Sequence, residues 1–559
     1  MKSTLYSHVI AFALLASGCA SSPDQSLMTL TVIGSNDVHG ELAARGGVGG
    51  LETFSGYVQR LREVRSGDGG AVVLIDAGDM WQGTLESNLT EGADVVAAFN
   101  AMGYDAAAVG NHEFDFGPEG KEAIARSASE DSRGALKRRA REANFPLLIA
   151  NLTVAETGKS IGWDNILPSV LLEKNGVSIG VIGVLASRGL AGTIAANVAD
   201  LRVAPLAATI EREARSLRQR GAQLVIVTAH AGGACERFDN PHNLSSCRPD
   251  SEIFQVARAL PEGLVNQIIA GHVHQGLAHR VGGTIITSAY SNTRAFSRVD
   301  YQINTRGGTV ESEVIYPPQP IRAGSTYEGQ PIAPQPKVSA IASRARTAAQ
   351  ALRNQPIGVD LGAAFTLQQS PDSSLGNLFT QAMHESLDAD IVLQNVVGGL
   401  RTALPAGPLT YGSLFKTFPF DNRVVKLSLS GAQLRQVAGS EARRGQRTVG
   451  ISGVSVFISC ESDGMTVKLQ RNDGSVVQDS DQISVATSDY LALGGAQVLE
   501  SVMPEGGFPI DFGAPLVRDI IIEWLADQPS PLMPAAFRNE STINWHRPAA
   551  LDPSCVFQP

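Results

Sequence analysis

Positive charge is scarce in this chain. Lysine and arginine number 45 against 55 aspartates and glutamates, giving a net charge of −10 and a pI near 5.6. That balance argues against a nucleic-acid polymer as partner, while small anions stay open because bound cations can invert a local field. Long apolar runs are also missing: beyond residue 15 no stretch is long enough to cross a bilayer. Cysteine is rare, at 5 residues. Charged residues make up only 18%, yet hydrophobic residues reach 43% and glycine 57, a globular composition rich in turns and not a disordered one. At 559 residues the chain exceeds what one core usually serves, so two domains are expected.

The first 18 residues read as an export signal, with Lys2 at the positive end and a short apolar run over residues 9–15. Ala16, Ser17, Gly18 and Cys19 then resemble a bacterial lipobox, with Leu15 displaced by one place and Cys19 as the lipidation site. A plain signal peptide cleaved near Ala16 or Ala20 is the alternative. The lipoprotein reading is favoured by the polar tether that follows, and it implies an exported protein anchored at the cell envelope, on the periplasmic face or outer membrane. Four cysteines remain, an even number that permits two disulfides. Cys235 and Cys247 flank a turn-rich loop, Cys460 and Cys555 are the other two, and three connectivities are open.

Five short apolar runs, separated by helical or turn segments, each end in groups able to bind a metal. Residues 30–34 lead into Asp37 and His39, and residues 71–75 into Gly78 and Asp79. Residues 106–109 lead into Gly110, Asn111, His112, Glu113, Phe114 and Asp115. Residues 224–227 end in His230, and residues 267–270 precede Gly271, His272, Val273 and His274. Five of the ten histidines therefore follow buried strands, whereas chance would scatter them. Taken singly, each is more often a capped or surface residue. Parallel sheets bring consecutive strand ends to one edge, so these groups are expected to converge there. Carboxylate and amide oxygens mixed with imidazoles suit Zn, Mn, Fe or Co and not Ca²⁺. Seven candidate ligands are too many for one ion and enough for two, with Asp79 bridging. Elsewhere, helices are expected over residues 51–65, 93–102 and 121–143, and strands over residues 177–184 and 283–288.

In that order these motifs resemble the calcineurin-like metallophosphoesterases, and the run from Gly110 to Asp115 narrows the resemblance to the 5′-nucleotidase and UDP-sugar hydrolase branch. The resemblance implies an α/β fold: an N-terminal metallophosphoesterase β-sandwich flanked by helices, plus a smaller α/β C-terminal 5′-nucleotidase-type domain. It also implies two divalent transition-metal ions. Asp37, His39, Asp79 and His274 would hold one; Asp79, Asn111, His230 and His272 would hold the other. His112 and Asp115 correspond to the catalytic dyad, stabilising the transferring phosphoryl group while a metal-bound water or hydroxide attacks.

Proline-rich residues 316–320 and 331–336 read as a linker, followed by a helix over residues 338–354. The expected boundaries are 1–18 signal peptide, 19–27 tether, 28–320 dinuclear domain, 321–356 linker and connecting helix, and 357–550 substrate-binding domain. In that second half, Asn395 and Arg401 resemble the family's phosphate-side motif, and Phe420 and Tyr490 its two base-stacking aromatics, although either ring alone is more often core. Ala496 departs from the aspartate that many relatives use to bind ribose, the segment 395–401 is one residue longer than usual, and Pro371 stands where relatives often place an arginine.

The expectation is an exported, metal-dependent phosphoric ester hydrolase that cleaves small organic phosphomonoesters, nucleoside 5′-monophosphates foremost. Alternatives are a 2′,3′-cyclic-nucleotide phosphodiesterase/3′-nucleotidase, a UDP-sugar pyrophosphatase, or a non-catalytic surface binding protein on the same scaffold. The last predicts eroded metal ligands, and none of the seven is missing. The oligomeric state is not legible.

Overall fold

The computed structural model describes residues 27–367, 372–443, 449–461, 464–504, 507–538 and 544–546. The export signal, Cys19, Pro371 and Cys555 lie outside the described residues.

Val72, Val73, Leu74 and Ile75 form a run with no polar interruption, the pattern of a strand covered on both faces. They belong to Ala71–Asp76, which pairs in parallel with Leu27–Ser35 on one side and Ala106–Ala108 on the other. Ala295–Asn304 closes the other side of Leu27–Ser35 antiparallel. A second sheet runs Gly276–Val281, Thr284–Ala289, Gln267–Ala270, Leu224–His230, Val177–Leu185 and Ser169–Lys174, parallel through its four central strands. The two sheets meet through Leu30, Val32, Val73 and Ile75 on one face and Ile179, Val181, Ile226, Ile269 and Ile285 on the other. Each such side chain contributes on the order of 1.5–3 kcal/mol by leaving water.

Helices cover both outer faces. Leu51–Gly67 and Ala93–Met102 lay Phe54, Val58, Leu61, Val95 and Phe99 on the first sheet. Leu206–Gln219 and Glu252–Ala259 cover the second with Ile210, Leu217, Ile253 and Phe254. The result is a four-layer α/β sandwich.

The proline-rich stretch is not a loose tether. Ile321 and Ile332 are buried in the N-terminal core, and Gln319–Pro320 pairs with Ala295–Asn304. Pro336–Arg353 is the expected connecting helix, starting on a proline whose missing N–H has no intrahelical partner to lose. It packs Val338, Ile341, Ala342 and Ala345 onto the N-terminal core. Beyond it, Val424–Ser430, Gln482–Ser488, Ile391–Asn395 and Val449–Ser452 form a mixed four-stranded sheet. Ser374–Ser386 and Val517–Ala526 pack beside that sheet, so the second half is a smaller α/β unit.

Two expectations fail locally. Residues 121–143 are helical only over Gly134–Glu142. Upstream, Glu130 and Asp131 accept hydrogen bonds from the backbone N–H groups of Arg126 and Arg133, holding the chain in turns instead of a helix. The convergence of strand ends at one sheet edge also needs correction. Asp37, Asp79 and Asn111 leave the first sheet, whereas His230 is the last residue of a second-sheet strand and His272 follows its neighbour. The groups meet across the rim between two sheets.

Candidate active site and metal centre

Glycine allows the strand ends to approach closely. A Cβ on Gly78, at φ 88°, would lie 2.8 Å from the backbone nitrogen of Gly110 and 2.9 Å from Nδ1 of His230. One on Gly110 would lie 2.3 Å from Oδ1 of Asp79. Backbone bonds then zip the first two loops together, with Asp37 N donating to Gly78 O and His39 N to Asp79 O, each at 3.0 Å. Asp37, His39, Asp79, His272 and His274 all take left-handed backbone conformations, with φ between 49° and 75°. Such strain costs of order 1–3 kcal/mol per residue and persists only where surroundings enforce it.

The seven residues expected as metal ligands are gathered in two tight groups. In the first, Nε2 of His39 is 3.0 Å from Nε2 of His274, which is 3.3 Å from Oδ1 of Asp37. In the second, Nε2 of His230 lies 3.1 Å from Oδ2 of Asp79, 3.0 Å from Oδ1 of Asn111 and 3.2 Å from Nδ1 of His272. Asp79 thus sits with the second group; nothing in these distances makes it bridge to the first.

The tautomers show what such crowding requires. His39 directs Nδ1 at Gln82 O, 2.9 Å away, and His230 directs Nδ1 at Ala77 O, 2.8 Å away. A carbonyl accepts only from an N–H, so in the neutral rings, the form that binds a metal, Nε2 carries the lone pair. Lone pairs of nitrogen and oxygen then point at one another across about 3 Å, an arrangement that a shared cation resolves. Burial pulls His39 down to about 3 and His272 to about 4, with neighbouring histidines adding to the effect. Burial opposes charge on His230 too, yet the Asp79 carboxylate pushes that imidazole up to about 10. With no cation present a proton would be drawn between Asp79 and His230 Nε2, in the place where a dication would satisfy both. The donor set of imidazoles, carboxylates and one amide oxygen fits a divalent transition metal.

His112 and Asp115 flank these groups. Nδ1 of His112 is 2.5 Å from Oδ2 of Asp115, whose other oxygen accepts from Thr193 Oγ1 at 2.7 Å. From the second half, Arg401 brings Nη2 to 2.6 Å from His112 Nε2 and lays its guanidinium 5.3 Å from the Phe420 ring centre. A cavity of about 290 Å³ opens here, lined by Asp79, His112, Asn395, Arg401, Phe420 and Tyr490 among others. Tyr490 is fixed in place: its hydroxyl donates to Ala191 O at 3.2 Å and accepts from Ala496 N at 3.0 Å. Asn395 is buried at the cavity wall, its Oδ1 accepting from Gln394 Nε2. All of the candidate site residues among the described residues therefore lie around one interdomain cleft.

Some residues shaping this site have no role assigned by the sequence, Glu113 among them although it lies within a motif. Glu113 is fully enclosed and accepts from the backbone N–H groups of Asp79, Met80 and Gly110 at 2.7–2.8 Å. Asn36 donates to Asp37 Oδ2 at 2.7 Å. Thr193 and Gln82 had no signal at all, since their contacts depend on chain folding and not on motif position.

Comparison with known proteins follows the same lines. Residues 352–501 match the family model of the 5′-nucleotidase C-terminal domain. The protein UshA of Yersinia enterocolitica is 25% identical over 501 residues, covering 83% of this chain and 86% of its own. Over most of its length the chain is similar to 5′-nucleotidases and UshA proteins. The endonuclease YhcR of Bacillus subtilis is likewise 25% identical over 491 residues, 84% of this chain. The chain spans only 37% of that endonuclease's length. The 5′-nucleotidase precursor of Thermus thermophilus shares the fold, with a TM-score of 0.69 at 20% identity, covering 93% of this chain and all of its own. The chain thus has the two-part architecture of its relatives, an N-terminal metallophosphoesterase unit and a C-terminal nucleotidase unit.

Proposed function

We propose that this protein is an exported, lipid-anchored two-metal phosphohydrolase that removes phosphate from small organic phosphomonoesters, with nucleoside 5′-monophosphates as the preferred class. The observation that carries the reading is the pair of buried donor clusters facing the Arg401–His112–Asp115 chain across one cavity. Asp37, His39 and His274 would hold one cation, and His230, His272 and Asn111 the other, with Asp79 shared. When bound, such cations neutralise phosphoryl oxygens and activate the attacking water.

The chain's own groups supply the rest. Asp115 keeps His112 oriented through Nδ1, and Nε2 points at Arg401 Nη2; with a phosphate seated between them, a proton held on Nε2 would serve the leaving oxygen. Arg401 offers a planar pair of donors to a phosphate that enters between its guanidinium and His112. Phe420 and Tyr490 provide two ring faces, suited to a flat base. The enclosed setting strengthens each of these interactions relative to water. The lipobox at Cys19 supports anchoring, and among the described residues no helix is long and apolar enough to cross a membrane.

The test is a substrate panel on metal-depleted and metal-restored protein: a generic aryl phosphate, AMP, cyclic 2′,3′-AMP, UDP-glucose and a sugar phosphate. Metal-dependent hydrolysis with AMP at the highest kcat/KM is expected. Turnover of cyclic 2′,3′-AMP or UDP-glucose above AMP replaces the substrate class, and no hydrolysis of any of them under any metal overturns the reading.

A further inference from the structure

The loop that follows His230 carries a second constellation, away from the cavity. Cys235 and Cys247 form a disulfide across it, and His279 lies beneath on the strand Gly276–Val281. Both sulfurs and one imidazole nitrogen lie within 4.8 Å of one another. His279 is fully buried, its Nδ1 takes a long 3.3 Å bond from Ala278 N, and its ring leans on the Arg237 backbone for its remaining polar contact.

The two cysteines do not owe their proximity to the S–S bond alone. They are opposed in an antiparallel bridge, with Arg248 N donating to Ala234 O at 2.9 Å and Glu236 N to Ser246 O at 3.3 Å on either side. Cys247 N further donates to Leu244 O at 3.0 Å. Arg280 N donates to Pro241 O at 2.8 Å, tying the loop to the histidine's own strand, and Phe238 packs against the His279 ring. Breaking the disulfide would leave two thiols and an imidazole held in place by backbone and packing. Cys247 is only half-buried, which gives a reductant access.

We infer that Cys235, Cys247 and His279 form a latent soft-metal site, which the disulfide masks and reduction opens to Zn²⁺. A dithiol reductant supplies two electrons and two protons, becoming a disulfide while Cys235 and Cys247 become thiols. Zinc then displaces both thiol protons, giving two thiolates and one imidazole around the ion and a fourth position for solvent. The site differs in chemistry from the oxygen- and imidazole-rich clusters above, because thiolates select softer ions. It does not depend on the proposed hydrolysis.

The experiment uses the full chain, oxidised or reduced with a water-soluble phosphine, whose phosphorus takes up oxygen from water. Each form is loaded with Zn²⁺ and counted, and separately titrated with Co²⁺ for the thiolate-to-cobalt charge-transfer band, which nitrogen and oxygen ligands do not produce. One extra zinc per chain and the band are expected only after reduction. Both are expected to vanish in the Cys235→Ser, Cys247→Ser double variant, and His279→Ala should weaken zinc binding by about tenfold or more. The oxidised-to-reduced comparison on the unaltered chain needs no substitution to fold. The inference is overturned if reduction adds no zinc, if the band survives in the double variant, or if His279→Ala binds as tightly as the parent.

Discussion

Arg401 and His112 come from opposite halves of the chain, 289 positions apart, and stand 2.6 Å apart through Nη2 and Nε2. The contact closes a line from Thr193 through Asp115 and His112 to the guanidinium. Both ring nitrogens of His112 are engaged in that line, and His112, Asp115, Thr193 and Arg401 all line the cavity.

On the proposed reading, removing His112 takes away the group at the reacting oxygen while leaving the donor clusters intact. His112→Ala is therefore expected to lower kcat on an aryl phosphate by on the order of 10²–10⁴, the usual worth of a positioned acid or base, with metal content unchanged. Metal analysis beside steady-state kinetics checks both halves. Loss of metal in this variant would recast His112 as a ligand.

Arg401→Lys keeps charge but not the planar fork. Turnover is expected to fall by on the order of 10²–10³, the loss typical when one preorganised donor to a developing oxyanion is removed. Arg401→Ala should fall further and weaken product inhibition by inorganic phosphate. Equal activity in the lysine variant would mean that the fork is not used on phosphate.

The two donor clusters predict that metal removal destabilises the fold. Asp79→Ala or Asn111→Ala should lower bound metal and abolish the stabilisation that metal gives the parent. A ligand at about a hundredfold its Kd adds roughly 2.7 kcal/mol, so chelation should visibly lower the parent's Tm but leave the Asp79→Ala midpoint unmoved. An equal drop in both places the bound metal elsewhere.

How much of this could be read beforehand depends on how local the cause is. Asp79, Asn111 and His272 sit beside glycine just past strands, and Asp37 lies two residues past the end of its strand, so strand pattern and turn chemistry alone single them out. The left-handed backbones of Asp37, Asp79 and His272, at φ 50°, 58° and 75°, could not be read, because only packing holds a non-glycine residue there. The same limit hid Thr193, which touches Asp115 from 78 residues away, and the split of the site between two sheets. Over residues 121–143 helical composition misled, because Glu130 and Asp131 turned the chain with their own side chains. The cluster of Cys235, Cys247 and His279 belongs with these: it exists only once the Cys235 loop folds over the histidine's strand.

Asp489 sets a pH dependence of stability. Burial pushes its carboxyl from 3.8 up to about 6, against hydrogen bonds from Asn422 Nδ2 and Tyr490 N. A raised folded-state value means that the native state binds the proton more tightly than the unfolded chain does. The contribution is therefore fully present below pH 4 and lost as pH rises through 6. Asp489→Asn should stabilise the protein at pH 7.5 by about 1–3 kcal/mol and make no difference at pH 4, read from urea midpoints. A uniform effect at both pH values would trace to packing.

Tyr490 and Phe420 decide whether the cavity is built for a base or merely filled by rings. Tyr490 is held by Ala191 from the first half and by Ala496 from the second, so its ring stays put when the cleft is closed. Phe420 sits beside both His112 and Arg401. If a base stacks on these rings, Phe420→Ala should cost about 1–3 kcal/mol of binding, raising KM for AMP roughly five- to a hundredfold, with kcat on an aryl phosphate little changed. Tyr490→Phe keeps the ring and frees the hydroxyl's partners, so it should raise KM for AMP only through the loosened cleft, by a few-fold at most. The informative comparison is between substrates and not between variants. A Phe420→Ala enzyme that loses AMP and aryl phosphate turnover in equal measure has lost the setting of Arg401 and His112, and the ring is then a wall of the catalytic groups and not a seat for a nucleobase.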